Sequence, residues 1–253
     1  MKPVKRMWDI RQSAQPATLD IHIYGDVQGD SIDLTTLKNV ESNTSAEHFK
    51  KELAKYPDVK KINIYINSYG GSVFEGTAIF SQLKRHQAYK TVYVDGFACS
   101  IASVIAMAGD KVVMPKNTLM LIHNVWCSAY GNAVHLRNVA ENLDKMTEAS
   151  RQAYLQKSSG RITEKKLIEL MDAETWLTAS QCKQYGFADE VLDKEADLAE
   201  AKKMLQKAKK AMEQEEKKNT RFAARVTDRK GELMEKELKG GSKPLKMLAA
   251  LLK

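Results

Sequence analysis

The chain has 253 residues, 43% of them hydrophobic, and a formal net charge of +8, which suits one sizeable soluble α/β domain with an appendage. Its longest apolar run, "IASVIAMAG", is interrupted by Ser103 and closed by Gly109, which excludes a membrane-spanning helix. Lys194–Lys253 hold 17 basic and 10 acidic residues, leaving 23 and 22 in residues 1–193, so a nearly neutral body gives no reason to expect nucleic-acid binding.

The stretch "MKPVKRMWDIRQSAQ" carries charge but no apolar signal-peptide core, and a cytoplasmic protein is expected. "LDIHIYGDV" (19–27) alternates, carries β-branched residues and meets Gly25, which predicts a strand. "TSAEHFKKELAKYP" opens with a capping box, Thr44 and Glu47, and closes at Pro57, a short helix. "KKINIYINS" is a second strand, and "SVFEGTAIFSQLKRH" repeats apolar residues at Val73, Ala78, Ile79 and Leu83 with helical spacing. "KTVYVDG" predicts a strand, "FACSIASVIAMAG" a buried helix, and "KVVM" and "NTLMLIHN" two further strands. Strands alternating with helices of about 10–15 residues point to an α/β fold of repeated ββα-like units.

A long helix follows over 131–158, with Leu136, Val139, Ala140, Leu143, Met146, Ala153 and Tyr154 on its apolar stripe. It exceeds the usual helix of about 11–12 residues, so it is expected to project or to pack on another subunit. "ITEKKLIELMDAE" is helical, and "TASQCKQYG" carries a second capping box, Thr178 and Gln181, with Gly186 as its stop. Beyond Val191 the composition turns rich in Ala, Glu and Lys, with one apolar residue per heptad at Leu198, Leu205 and Met212, too thin a line for a coiled coil. The expected organisation is an N-terminal segment (1–16), a main α/β domain (17–193) and a charged, helical or disordered extension (194–253). Cys99, Cys127 and Cys182 are an odd number without metal-ligand spacing, so reduced thiols and no metal are expected.

The chemistry concentrates behind "INSYGGSV" (66–73). Neither G-x-x-x-x-G-K-[ST] nor G-x-G-x-x-G occurs, so Gly70 and Gly71 form a plain turn or offer backbone N–H groups to a substrate. "VDGFACSIASVIAMAG" puts Ser100 after a strand and glycine, in the first turn of an apolar helix, among the small residues Ala98, Cys99 and Ala102. N–H groups at a helix start suit a developing oxyanion, although a serine there more often caps the helix. His123 ends an apolar strand 23 residues later and is the candidate base, although a lone strand histidine is more often structural. A base needs a carboxylate to fix its tautomer, and "LMDAETWLTA" offers Asp172 and Glu174. If both lay on one helix they would point about 200° apart, so they would not serve equally.

In order, "NSYGGSV", "GFACS", "MLIH" and "ETWLTA" resemble the proteolytic subunit of the Clp protease over residues 17–192, including the 29-residue interval from Gly71 to Ser100. The resemblance implies the Clp peptidase/crotonase-like fold with a projecting handle helix. It implies Ser100 as nucleophile, His123 as base, and Glu174 as the third member with Asp172 as the alternative. The N–H groups of Gly71 and Ile101 would form the oxyanion hole, and Gly70 and Ser72 would lie along the substrate. It further implies protein or peptide substrates, no metal or organic cofactor, stacked heptameric rings joined through helix 131–158, and a Clp-type ATPase acting in trans. This sequence departs from the family in Tyr69 for Pro, Cys99 for Ala, and Glu174 for Asp.

The wording of "IASVIAMAGD", "LMLIHNVW" and "MDAETWLTA" is similar to the phage and prophage branch, implicated in head maturation. That implies a capsid or scaffold protein as partner and the host cytoplasm or assembling prohead as location, with the lysine-rich extension as a tether. Two other readings stay open: a crotonase-type acyl-CoA enzyme, which uses the same pair of N–H donors, and a non-enzymatic capsid scaffold with an inactive protease domain. The basic extension also leaves DNA binding by the tail to be tested.

Overall fold

The computed structural model describes residues 8–13, 15, 17–33 and 38–193. The extension expected over 194–253 lies outside the described residues. In chain order the elements begin with β1 (Asp9–Gln12), β2 (Thr18–Tyr24), the short pair β3 (Ser31–Asp33) and β4 (Lys38–Val40), and α1 (Ala46–Leu53). The centre of the domain is β5 (Lys61–Ser68), α2 (Val73–Arg85), β6 (Tyr89–Cys99), α3 (Ile101–Ala106), β7 (Lys111–Pro115) and β8 (Leu119–Ile122). Then come α4 (Ala133–Ser158), α5 (Glu164–Asp172), β9 (Thr175–Thr178), α6 (Ala179–Tyr185) and β10 (Glu190–Leu192).

One eight-stranded sheet carries the domain, in the order β1-β2-β5-β6-β7-β10, with β8 bridging β6 and β9. It is parallel from β2 through β10, and antiparallel where β1 joins β2 and where β9 joins β8. Alternation decides the faces: Leu19, Ile21 and Ile23 of β2, Ile62, Ile64 and Ile66 of β5, and Val92 and Val94 of β6 are all fully buried. They share one core with Ile79 and Leu83 of α2 and with the wholly buried α3. On the opposite face His22, Tyr65 and Tyr93 stack in register across three strands. No described helix is long and apolar enough to cross a membrane.

Strand β6 is long because it has two partners. Thr91–Tyr93 pair with β7, while Phe97–Cys99 pair with β8. The sheet divides at its centre, and the C-terminal end of β6 comes to lie beside the C-terminal end of β8. Ligands of open parallel sheets settle at such strand ends.

Several boundaries differ from the sequence reading. The helix expected over 97–109 is shorter: Phe97, Ala98 and Cys99 continue β6, because their backbone is taken up by β8, and only Ile101–Ala106 coil. The first helix is capped by Ser45, whose hydroxyl accepts from the His48 N–H, not by Thr44. Thr44 is tied to the Gln28 backbone instead. The second capping box, Thr178 with Gln181, is present as expected, and Gly186 ends α6 in the left-handed conformation. Part of the segment set apart as N-terminal, Asp9–Gln12, joins the sheet as β1. Helix α4 starts at Ala133 behind the cap Asn132, and its buried residues are Thr147, Ser150, Ala153, Tyr154 and Ser158, so its first half projects as expected.

Candidate active site

Three strand ends build the site. Ser68 ends β5, and Tyr69 leads into Gly70 (φ +95°) and Gly71 (φ +137°). The Val27 N–H donates to the Gly70 carbonyl and the Ser72 N–H donates to the Val27 carbonyl, both at 2.8 Å, so Gly71 is bridged to Val27. The Gly71 N–H itself donates to no acceptor among the described residues. A side chain has no room here. A Cβ on Gly70 would lie 2.7 Å from the Ser100 Cβ and 2.8 Å from the Cys99 carbonyl, and one on Gly71 would lie 2.2 Å from the Val27 carbonyl.

Ser100 stands between β6 and α3 with φ +54° and ψ −130°, a conformation that costs a non-glycine residue about 1–3 kcal/mol and persists only under restraint. The restraints are explicit. Its N–H donates to the Leu121 carbonyl at 2.9 Å, and its carbonyl accepts from the Ser103 N–H at 2.9 Å and from the Ser103 hydroxyl at 2.5 Å. Ser103 in turn meets the Tyr154 hydroxyl at 2.7 Å. The Ser100 side chain makes no capping bond, so the commoner job for a serine at this position is not the one it has. Ile101 follows as the first helical residue, where an N–H has no intrahelical acceptor.

His123 directly follows β8. Cys99 pairs with Leu121, which brings Ser100 and His123 to one edge, and both line a cavity of about 40 Å³ with Val73, Ile101, Val104, Val125 and Trp126. The imidazole Nδ1 lies 2.6 Å from the Asn124 carbonyl. A carbonyl only accepts, so Nδ1 carries a proton, and in the neutral imidazole Nε2 holds the lone pair. This arrangement can accept a proton from a hydroxyl, expose that oxygen to a carbonyl carbon, and stabilise the oxyanion with two N–H groups.

The carboxylates sit differently from the sequence reading. Helix α5 ends at Asp172, and Glu174 lies beyond it in the left-handed conformation, φ +47°, so the 200° separation on one helix does not apply. Ile122 pairs with Thr175, and one further step of that register sets Glu174 opposite His123. No hydrogen bond joins the two among the described residues. Asp172 instead accepts from the Asn124 side chain at 2.7 Å. Both carboxylates are exposed. Ser72 has structural tasks, its N–H bound to Val27 and its hydroxyl accepting from the Glu75 N–H at 3.4 Å to cap α2.

Tyr69 stacks on Phe97 at 6.1 Å, and Phe97 meets Trp176 edge-on at 6.1 Å. Its hydroxyl is buried without a partner among the described residues, and burial raises its pKa. The Cys99 thiol, next to Ser100, is pushed up to about 12 by burial, against a smaller opposing effect of the Leu121 backbone. It is therefore no competing nucleophile. Sequence reasoning missed Asn124, Ser103 and Tyr154. Ser103, three residues after Ser100 in an apolar helix, is the one signal that was present. Among the described residues no group of three or more His, Cys, Asp or Glu is placed to hold a metal ion.

A family model described as Clp protease matches residues 26–195. The chain is 32% identical over 149 residues to the ATP-dependent Clp protease proteolytic subunit 3 of Rhodococcus jostii, covering 58% of this chain and 73% of that protein. It is 33% identical over 138 residues to an ATP-dependent Clp protease proteolytic subunit of Bacteroides fragilis, with 53% and 65% covered. Against that of Deinococcus radiodurans it is 28% identical over 137 residues, with 53% and 66% covered. The chain spans about two thirds of the length of these curated relatives. The family match runs from Asp26 past the last described strand, taking in the glycine turn, the Ser100 elbow and His123, and the chain belongs to the Clp protease family, a family of peptidases.

Proposed function

We propose that this chain is a serine endopeptidase in which Ser100 is the nucleophile and His123 the general base. One observation carries the reading: a strained serine with an uncommitted hydroxyl shares a small cavity with a histidine whose Nδ1 is turned to a carbonyl, which leaves Nε2 of the neutral ring as the basic nitrogen. Nε2 takes the Ser100 proton as Oγ attacks a peptide carbonyl, and returns it to the leaving amine. Water then hydrolyses the acyl-enzyme by the same route. The Gly71 and Ile101 N–H groups bind the oxyanion, each such donor being worth roughly 10²–10³ in rate. Gly70 lets the nucleophile and the turn approach closely. Glu174, opposite His123 by register, supplies the negative charge that stabilises the imidazolium. No metal or organic cofactor enters this chemistry.

The relatives are named as proteolytic subunits of an ATP-dependent protease, which supports stacked heptameric rings with the projecting half of α4 as the handle. A separate ATPase then delivers protein substrates. The finer role is phage head maturation in the host cytoplasm or prohead, with a capsid or scaffold protein as substrate. The wording of "IASVIAMAGD" and "MDAETWLTA" and the lysine-rich residues after Asp193 support it. The test is mass spectrometry of wild type beside Ser100→Ala with a candidate head protein present. Cuts made by wild type alone support the proposal, and identical, uncut products from both refute it.

A further inference from the structure

We propose that Asn124 and Asp172 form a positioning ladder that holds His123 in its basic tautomer, an inference that rests on the reading of His123 as the general base. The chain leaves the sheet at His123, so no strand partner orients the following peptide groups. The Asn124–Val125 peptide is nevertheless fixed on both sides. Its N–H, on Val125, donates to the Thr147 hydroxyl of α4 at 3.0 Å, and its carbonyl accepts from His123 Nδ1 at 2.6 Å. A peptide is planar with N–H and C=O opposed, so anchoring one aims the other. The third tie is the Asn124 side chain, whose Nδ2 donates to Asp172 Oδ1 at 2.7 Å at the end of α5. Helices α4 and α5 thus hold one carbonyl against the imidazole.

Asp172 acts in this ladder as a hydrogen-bond acceptor, not as a charge on the imidazole. An asparagine at the same position keeps an acceptor oxygen, whereas alanine removes it. Loss of the tie frees the Asn124 carbonyl to swing, and misplacement of a catalytic group by about 1 Å costs up to 10²-fold. Asp172 is exposed, so its substitution leaves the core intact.

The experiment measures labelling of Ser100 by a fluorophosphonate on the full chain, separating the maximal rate from the half-saturating concentration. Asp172→Ala and Asn124→Ala each slow the maximal rate about ten- to a hundredfold, with half-saturation unchanged, and the double variant is no slower than either. Asp172→Asn recovers most of the loss seen in Asp172→Ala. An Asp172→Asn variant as slow as Asp172→Ala, or an Asp172→Ala variant at the wild-type rate, overturns the proposal. Nitrogen-15 spectra of labelled histidine give a second readout independent of activity: Nδ1–H at His123 in wild type and a tautomer mixture in Asp172→Ala. Nε2–H in wild type overturns the ladder. If wild type is never labelled while His123 is Nδ1–H, the peptidase reading fails and the ladder stands.

Discussion

Removing the Ser103 hydroxyl tests how the strained elbow is held. Tyr154 is 1% exposed and Ser103 fully buried, and they form a chain in which Tyr154 donates to Ser103 and Ser103 donates to the Ser100 carbonyl. Ser103→Ala loses one such bond, about 0.5–1.5 kcal/mol, and strands the Tyr154 hydroxyl, about 1–3 kcal/mol more. The expected destabilisation is therefore about 1.5–4.5 kcal/mol. Tyr154→Phe leaves Ser103 its acceptor and costs about 0.5–1.5 kcal/mol from the lost bond. In the double variant no hydroxyl is stranded, so it is more stable than the sum of the singles predicts by about 1–3 kcal/mol. Guanidinium unfolding at one fixed protein concentration measures all four corners, because association shifts apparent stability. Fluorophosphonate labelling slows more in Ser103→Ala than in Tyr154→Phe, since only the former removes a donor from the Ser100 carbonyl, leaving it the Ser103 N–H alone. Additive single costs, or a Ser103→Ala cost below about 0.5 kcal/mol, would refute the reasoning.

Gly70→Ala meets the Ser100 Cβ and adds positive-φ strain, so labelling falls at least about 10²-fold and the melting temperature drops; a wild-type labelling rate contradicts the close approach. Glu174→Gln slows peptide hydrolysis at least about tenfold more than Asp172→Asn, because the first loses a charge opposite His123 and the second keeps its acceptor; steady-state kinetics with the reverse ranking would reassign the two. Native protein at pH 8 reacts with a disulfide reagent at Cys127 alone. Cys99 and Cys182, both raised to about 12 by burial, stay protonated below that pH and react only after denaturation; three fast thiols in native protein refute this. Asp95 has its pKa raised by burial, with the Tyr24 bond opposing. Its folded pKa lies above the unfolded one, so its share of stability is full at low pH and is lost as pH rises through the folded pKa. Asp95→Asn therefore raises the melting temperature at pH 7 more than at pH 4, and a flat difference is evidence against it.

The sequence makes the strands and the motif order legible because both are local. Period-2 alternation in "KINIYI" identifies β5 and the face it buries, and the glycine spacing excludes a phosphate loop. The length of β6 is not legible, since "FAC" is as compatible with a buried helix as with a strand until β8 arrives as a partner. The same limit hides β9, four residues whose identity depends on pairing with β8.

The orientation of the histidine shows the limit most clearly. Glu174 and Asp172 look alike from the sequence, two acids before a tryptophan, and a helical wheel is the only geometry available to rank them. The end of α5 at Asp172 and the left-handed Glu174 discard that wheel. The imidazole is then oriented by a backbone carbonyl, a group every residue owns and no pattern of letters reveals. What makes that carbonyl specific is three-dimensional: Thr147 on one side of its peptide and Asp172 at the end of its side chain, 23 residues and 48 residues away from Asn124 along the chain. Tyr69 follows the same logic. Its ring extends the Phe97–Trp176 pair into a wall beside the glycine turn, a contact between aromatic faces that no local pattern of residues announces.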